Sequence, residues 1–179
     1  MISSILKEET KQEHDKTEET LQSKKIFDRS YTLDDYEKLL IHNYFLISKY
    51  EPQVNKLLSS YPGLKLDVRT KINAIARDLS DLGVGINSDN SAANDLNNEA
   101  EAFGALYVME GSTLGGNVIV KQLRKNPAFE NITFNYFGIY GEKTGLLWQE
   151  FKAFLDEKIN EKDYESCISG ARKAYQILA

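Results

Sequence analysis

The sequence predicts an all-α domain. Three observations carry that expectation. Apolar residues recur at helical spacing through most long segments. Strand-like alternation and clear repeats are absent. The punctuation is that of helices, with Thr32 as an N-cap, Pro62-Gly63 as a turn and Asn126-Pro127 as a stop. The 179 residues suffice for one domain with a real core and are short for two, so residues 1–179 are expected to form a single unit.

The elements follow in order. A first helix is expected from about Ser3 to Leu21. A second begins near Leu33 and reaches about Ser59, with Pro52 as a kink or interruption. A third spans about Asp67 to Leu82. The small, polar stretch from Gly83 to Asp95 is a loop. A long helix follows from about Leu96 to Lys125. Phe129 to Gly141 is aromatic and predicts a loop or short turn. The last two helices run from about Glu142 to Ile159 and from about Lys162 to Leu178.

Composition narrows the function classes. With 41% hydrophobic and 27% charged residues the chain is an ordinary globular mix. A net charge of −5 with no basic run argues against a nucleic-acid partner. Cys167 stands alone, so no internal disulfide forms and a reducing compartment is expected. No segment approaches the ~20 apolar residues of a membrane span, and the N-terminus lacks a signal pattern. The expectation is a cytoplasmic protein with no membrane partner.

The long helix holds the most informative pattern. Phe103 to Arg124 reads FGALYVMEGSTLGGNVIVKQLR, with Gly104, Gly111, Gly115 and Gly116 inside it. Each interior glycine costs roughly 1 kcal/mol relative to alanine. At about 100° per residue, Gly104, Gly111 and Gly115 share a narrow arc, and Gly115-Gly116 marks a kink. Such a stripe serves tight helix–helix packing, or it lies over a planar ligand.

The first helix is the second clue. Lys7 to Thr20, KEETKQEHDKTEET, contains no strongly apolar residue. Yet Lys7, Lys11, His14 and Glu18 fall within an arc of about 60° on one helical face. Solvated charge pairs account for each residue separately. One ligand accounts for them together. His14 then serves as an axial metal ligand, and Glu18 holds its other ring nitrogen directly or through water. Lys7 and Lys11 meet anionic groups at the ligand's edge. A ligand with a metal centre, a flat face and carboxylates at one edge is heme.

These motifs also resemble those of a known family. LKEETKQEHDKTE is similar to the proximal-helix signature of the heme oxygenases. GALYVMEGSTLGGNVI, Gly104 to Ile119, resembles their distal-helix signature in its bacterial Glu-Gly-Ser form. YGEKTGLLWQEF, Tyr140 to Phe151, resembles a bacterial C-terminal element, and DDYEKLL with Glu51-Pro52 a tyrosine-led helix. The resemblance covers nearly the whole chain. It implies a helical bundle that holds heme between a proximal N-terminal helix and a kinked distal one. It also implies an O2-dependent monooxygenase that opens heme to biliverdin, CO and ferrous iron. Electrons would come from a ferredoxin or a flavoprotein reductase. His14 matches the proximal ligand, Glu18 its partner, and Lys7 and Lys11 positions near the propionates. Gly111 and Gly115 match the distal glycines over the iron. Lys121 matches a lysine that contacts a propionate or docks the electron donor. Animal-type members carry an aspartate where this chain has Ser112, so the proton relay stays open among the Ser112 hydroxyl, backbone carbonyls and water.

Other chemistries fit less well. A heme carrier or sensor with the same pocket is the alternative function, and a heme-free member of the fold acting on another small molecule is a third. Cys167 is more readily a small buried hydrophobe than a nucleophile. Neither His14 nor His42 follows a glutamate by three residues, as a di-iron site requires. His42, in LLIHNYFL, is expected in the core and is the fallback ligand. Gly111 to Asn117 lacks the lysine of a phosphate loop, and Gly83-Val84-Gly85 lacks a dinucleotide fingerprint.

Overall fold

A computed structural model describes residues 1–86 and 94–179, and every regular element among them is helical. The helices are α1 (Ile2–Glu9), α2 (Lys11–Thr20), α3 (Lys24–Asp28), α4 (Leu33–Leu57), α5 (Ile72–Asp81), α6 (Glu99–Leu123), α7 (Thr144–Lys158) and α8 (Tyr164–Leu178). Part of the expected loop after α5, residues 87–93, lies outside the described residues. Among the described residues no helix is long and apolar enough to cross a membrane.

The expected first helix is two. It breaks at Thr10, where the backbone leaves the helical region (φ −109°, ψ 14°) and the buried hydroxyl bonds the Leu6 carbonyl at 2.7 Å. The two pieces are held differently. α1 buries Ile2 and Leu6, and Ser3 clasps α7: its N–H and hydroxyl donate to the two Asp156 oxygens at 2.8 and 2.7 Å. α2 buries only Thr17. Arg172 on α8 reaches it, donating to Glu13 at 3.1 Å and to Glu9 at the end of α1 at 3.2 Å.

α4 starts as expected. Thr32 accepts from Asp35 N–H at 3.1 Å, and the Asp35 carboxylate accepts from Thr32 N–H at 3.0 Å, forming a capping box. Pro52 does not interrupt the helix, which continues to Leu57. Burial of Ile47, Tyr50 and Val54 around it outweighs the missing hydrogen bond. α5 is shorter than expected. The Glu51 carboxylate accepts from Lys71 N–H at 2.6 Å and Ile72 N–H at 3.4 Å, capping α5 four or five residues later than Asp67.

α6 begins at Asn98, whose side chain accepts from Glu101 N–H at 2.9 Å, and it remains helical through all four glycines. Its first half packs backbone to backbone on α8. A Cβ on Gly104 would overlap the Cys167 carbonyl, and one on Gly170 the Glu101 carbonyl. The aromatic stretch after α6 is a buried strap. Phe129 and Phe134 pack edge-on against Tyr36, with ring centroids 5.7 and 5.6 Å away. Asp78 anchors it, accepting from Asn135 N–H at 2.9 Å and Tyr136 N–H at 2.8 Å.

Candidate heme-sized cavity between α2 and α6

A cavity of about 1010 Å³ opens between the charged N-terminal helices and the second half of α6. It reaches the upper end of the roughly 300–1,000 Å³ seen for small-molecule sites. Lys7, Lys11, His14 and Glu18 line one side. Gly111, Ser112 and Gly115 line α6. Lys121 stands exposed on α6 outside the lining. His42 is also outside, its Nδ1 3.0 Å from the Leu178 carbonyl. A smaller cleft of about 520 Å³ beside Arg124 and Phe129 contains none of these residues.

The glycine stripe divides by use. Gly104 serves helix packing, and Gly116 lies against Phe137, whose carbonyl oxygen would be 2.7 Å from an added Cβ. Gly115 would meet nothing within 4 Å, and Gly111 only the Trp148 ring at 4.0 Å. The packing interpretation therefore holds at Gly104, while at Gly111 and Gly115 the backbone is open toward the cavity.

The His14 side chain is half exposed, with its ring edge toward Tyr175. Its Nε2 lies 3.9 Å from Glu18 and its Nδ1 3.8 Å from Asp15. These distances are too long for direct hydrogen bonds. His14, Asp15 and Glu18 are the one His/Cys/carboxylate group among the described residues compact enough to hold a metal. Cys167 is no rival nucleophile, since burial pushes its thiol up to about 12.

Several contributors were not legible in the sequence. Asn43 from α4 and Tyr107, Trp148 and Lys152 also line the cavity. Behind Ser112 runs a hydrogen-bond chain. Asn43 Nδ2 donates to the Leu39 carbonyl at 2.9 Å, which turns Oδ1 toward the buried Tyr136 phenol, 3.0 Å away. With the phenol proton on Asn43, the phenol oxygen accepts from Ser112 at 2.8 Å. The other acceptor in reach of the Ser112 proton is the Met109 carbonyl, at 2.9 Å. Either way the proton is committed to protein, and the hydroxyl faces the cavity as an acceptor. Burial pushes the Tyr136 phenol above the ordinary tyrosine range, so this chain carries no group that titrates near neutrality.

A buried ionic cluster backs the same wall. Glu110, next to Gly111, pairs with both Arg69 and Lys71. Tyr140 donates to it at 2.9 Å, and the Lys71 ammonium also reaches the Arg69 carbonyl at 2.9 Å. Arg69 donates to the carbonyls of Leu64 at 2.8 Å and Leu147 at 3.2 Å. Burial holds Lys71 below the ordinary lysine range against the pull of Glu110. The cluster ties α6 to the segment before α5 and to α7. The one signal in the sequence was a glutamate inside an apolar run; its partners lie 39 and 41 residues away.

Comparison with known proteins gives one consistent answer. A family model described as heme oxygenase matches residues 1–178. A heme oxygenase of Xanthomonas campestris pv. campestris is 29% identical over 143 residues, covering 79% of this chain and 85% of that protein. The heme oxygenase PigA of Pseudomonas aeruginosa is 26% identical over 170 residues, covering 93% and 83%. The fold is similar to that of the NO- and CO-bound heme oxygenase from Neisseria meningitidis, with a TM-score of 0.76, 21% identity, and coverage of 99% and 88%.

Proposed function

Because the chain belongs to the heme oxygenase family, whose activity is heme degradation, we propose that heme is bound and opened in the cavity between α2 and α6. The observation that carries this placement is the open backbone at Gly111 and Gly115, in the same cavity as His14. The residues present fit the group: an imidazole for the iron, lysines for its carboxylates, and a wall without side chains for its face. Heme, when bound, supplies both the iron that activates O2 and the carbon framework that is oxidised. The products are biliverdin, CO and ferrous iron, and an electron donor such as a ferredoxin or flavoprotein reductase supplies electrons.

This chain's residues divide the remaining work. His14 would ligate the iron through one ring nitrogen, and Glu18 would orient the ring through the other. Gly111 and Gly115 leave space for ordered water. Ser112 accepts from such a water and fixes its direction. The Ser112–Tyr136–Asn43 chain ends on the Leu39 carbonyl and has no proton to deliver, so protons arrive through water from the cavity mouth.

Heme titration of the purified protein, followed by a reductant in air, tests the proposal. A Soret band should form at one heme per chain, then fade as a biliverdin band and CO appear. A complex that cycles between ferric and oxygenated forms with no bilin would make the protein a carrier or sensor. His14→Ala should abolish the imidazole-ligated spectrum, and His42→Ala should keep it. The reverse result overturns the ligand assignment. Ser112→Ala should slow turnover only a few-fold, since neighbouring backbone still holds water, whereas Gly111→Leu should stop it by filling the space. Equal rates in these two variants would contradict the assignment of this wall.

A further inference from the structure

The groups beside the His14 imidazole differ in how firmly they are held. Glu18 and Asp15 approach opposite ring nitrogens at nearly equal distances, 3.9 and 3.8 Å, and both side chains are more than half exposed. Exposed ion pairs of this kind contribute little and are screened by salt. Their helix adds little more, since α2 buries only Thr17. The two carboxylates therefore hold the plane of the ring weakly.

Tyr175 on α8 is the firm neighbour. It is buried, and its ring stands nearly perpendicular to the imidazole, with 79° between the planes and 6.3 Å between the centroids. Aromatic pairs prefer this edge-to-face geometry. The backbone that carries Tyr175 is fixed. One turn before it lies Ala171, whose amide nitrogen sits at the crossing with α6, where Gly104 has no room for a methyl group. Three residues before it, on the same face, Arg172 donates to Glu13, the residue before His14. α8 thus meets α2 through an ion pair and through a ring, and the ring is the buried contact of the two.

We propose that Tyr175 is a positioning residue that fixes the plane of the His14 ring. The inference rests on ligation of the iron by His14 and goes beyond it. Turning the imidazole out of this plane gives up the edge contact, and Tyr175 cannot follow, because α8 is pinned to α6. The two neighbours divide the task. Glu18 sets the tautomer, by holding the proton on the nitrogen away from the iron, and Tyr175 sets the plane. The iron then meets an imidazole already held in one orientation, so less rotational freedom is lost on binding.

Tyr175 also lines the cavity, so the test separates positioning from packing. Tyr175→Leu and Tyr175→Phe in the full chain are titrated with heme and with metal-free protoporphyrin, which has the same flat face and carboxylates and no iron for an imidazole. Tyr175→Leu should weaken heme binding about fivefold more than porphyrin binding, the factor expected of a single aromatic contact. The low-spin ferric electron paramagnetic resonance signal of its azide complex should broaden, as several ring planes coexist. Tyr175→Phe, which keeps the ring, should restore both. Equal losses for the two ligands would make Tyr175 a wall residue and overturn the proposal, as would broadening caused by Glu18→Gln and absent from Tyr175→Leu. The contact itself is read in the heme-free wild-type protein, where nuclear Overhauser effects should join the His14 and Tyr175 rings; their absence overturns the proposal even if no variant folds. A wild-type protein that shows this contact but takes up heme without an imidazole-ligated spectrum removes the ligation by His14, and the proposal with it.

Discussion

Gly104→Ala is expected to destabilise the heme-free protein by about 3 kcal/mol or more, the upper end of overpacking costs. The new methyl would meet the Cys167 carbonyl and the Ala171 amide, which are backbone and cannot rotate away. α6 and α8 must separate to admit it. In a chain of this size the melting temperature should fall by roughly 6–12 °C. Gly115→Ala on the same stripe should do the opposite. Its methyl enters open space, and the gain in helix propensity should stabilise by up to about 1 kcal/mol. Gly115→Leu should also fold, and should lose heme binding because the side chain occupies the cavity. Thermal melts of the heme-free variants with heme titrations decide the matter. Similar losses of stability at both positions would contradict the division of the stripe.

Glu110→Gln is expected to cost about 3–5 kcal/mol, as when one partner of a buried ion pair is removed. Two buried cations, Arg69 and Lys71, would lose their shared anion, and Lys71 is 0% exposed. The melting temperature should drop by roughly 6–20 °C. Replacing Arg69, Lys71 and Glu110 together by methionine should recover much of the loss, since no charge is then stranded. If Glu110→Gln melts like wild type, the cluster contributes nothing to the fold. If the triple variant is stable but opens heme slowly, the cluster's role is to hold the Gly111 turn in place.

What was legible in the sequence was whatever one helix carries by itself. Lys7, Lys11, His14 and Glu18 repeat at helical spacing, so a wheel found their shared face before any contact was known. Gly104, Gly111 and Gly115 were found in the same way. Their separate uses were not, because the crossing point of α8 depends on Gly170, far along the chain. Asn43, Tyr136 and Lys152 escaped for the same reason: they meet the cavity from elements whose packing no local pattern encodes. The break at Thr10 was hidden because a threonine inside a polar helix is unremarkable until its backbone angles are known. At Pro52 the expected interruption did not occur. Its local preference was real, and tertiary burial around Tyr50 and Val54 overrode it.

The slender anchorage of α2 links His14 to the surrounding medium. The segment buries Thr17 alone and is clasped by Arg172 to Glu9 and Glu13, with all three charged side chains 30% to 52% exposed. Ions in solution screen such contacts over about 8 Å at physiological strength, while the Glu110 cluster behind α6 lies beyond their reach. The two faces of the cavity therefore answer differently to the same solvent. Raising the salt concentration is therefore expected to loosen the docking of α2 on α8 and to leave the Glu110 cluster intact, and hydrogen exchange compared across the two segments checks it.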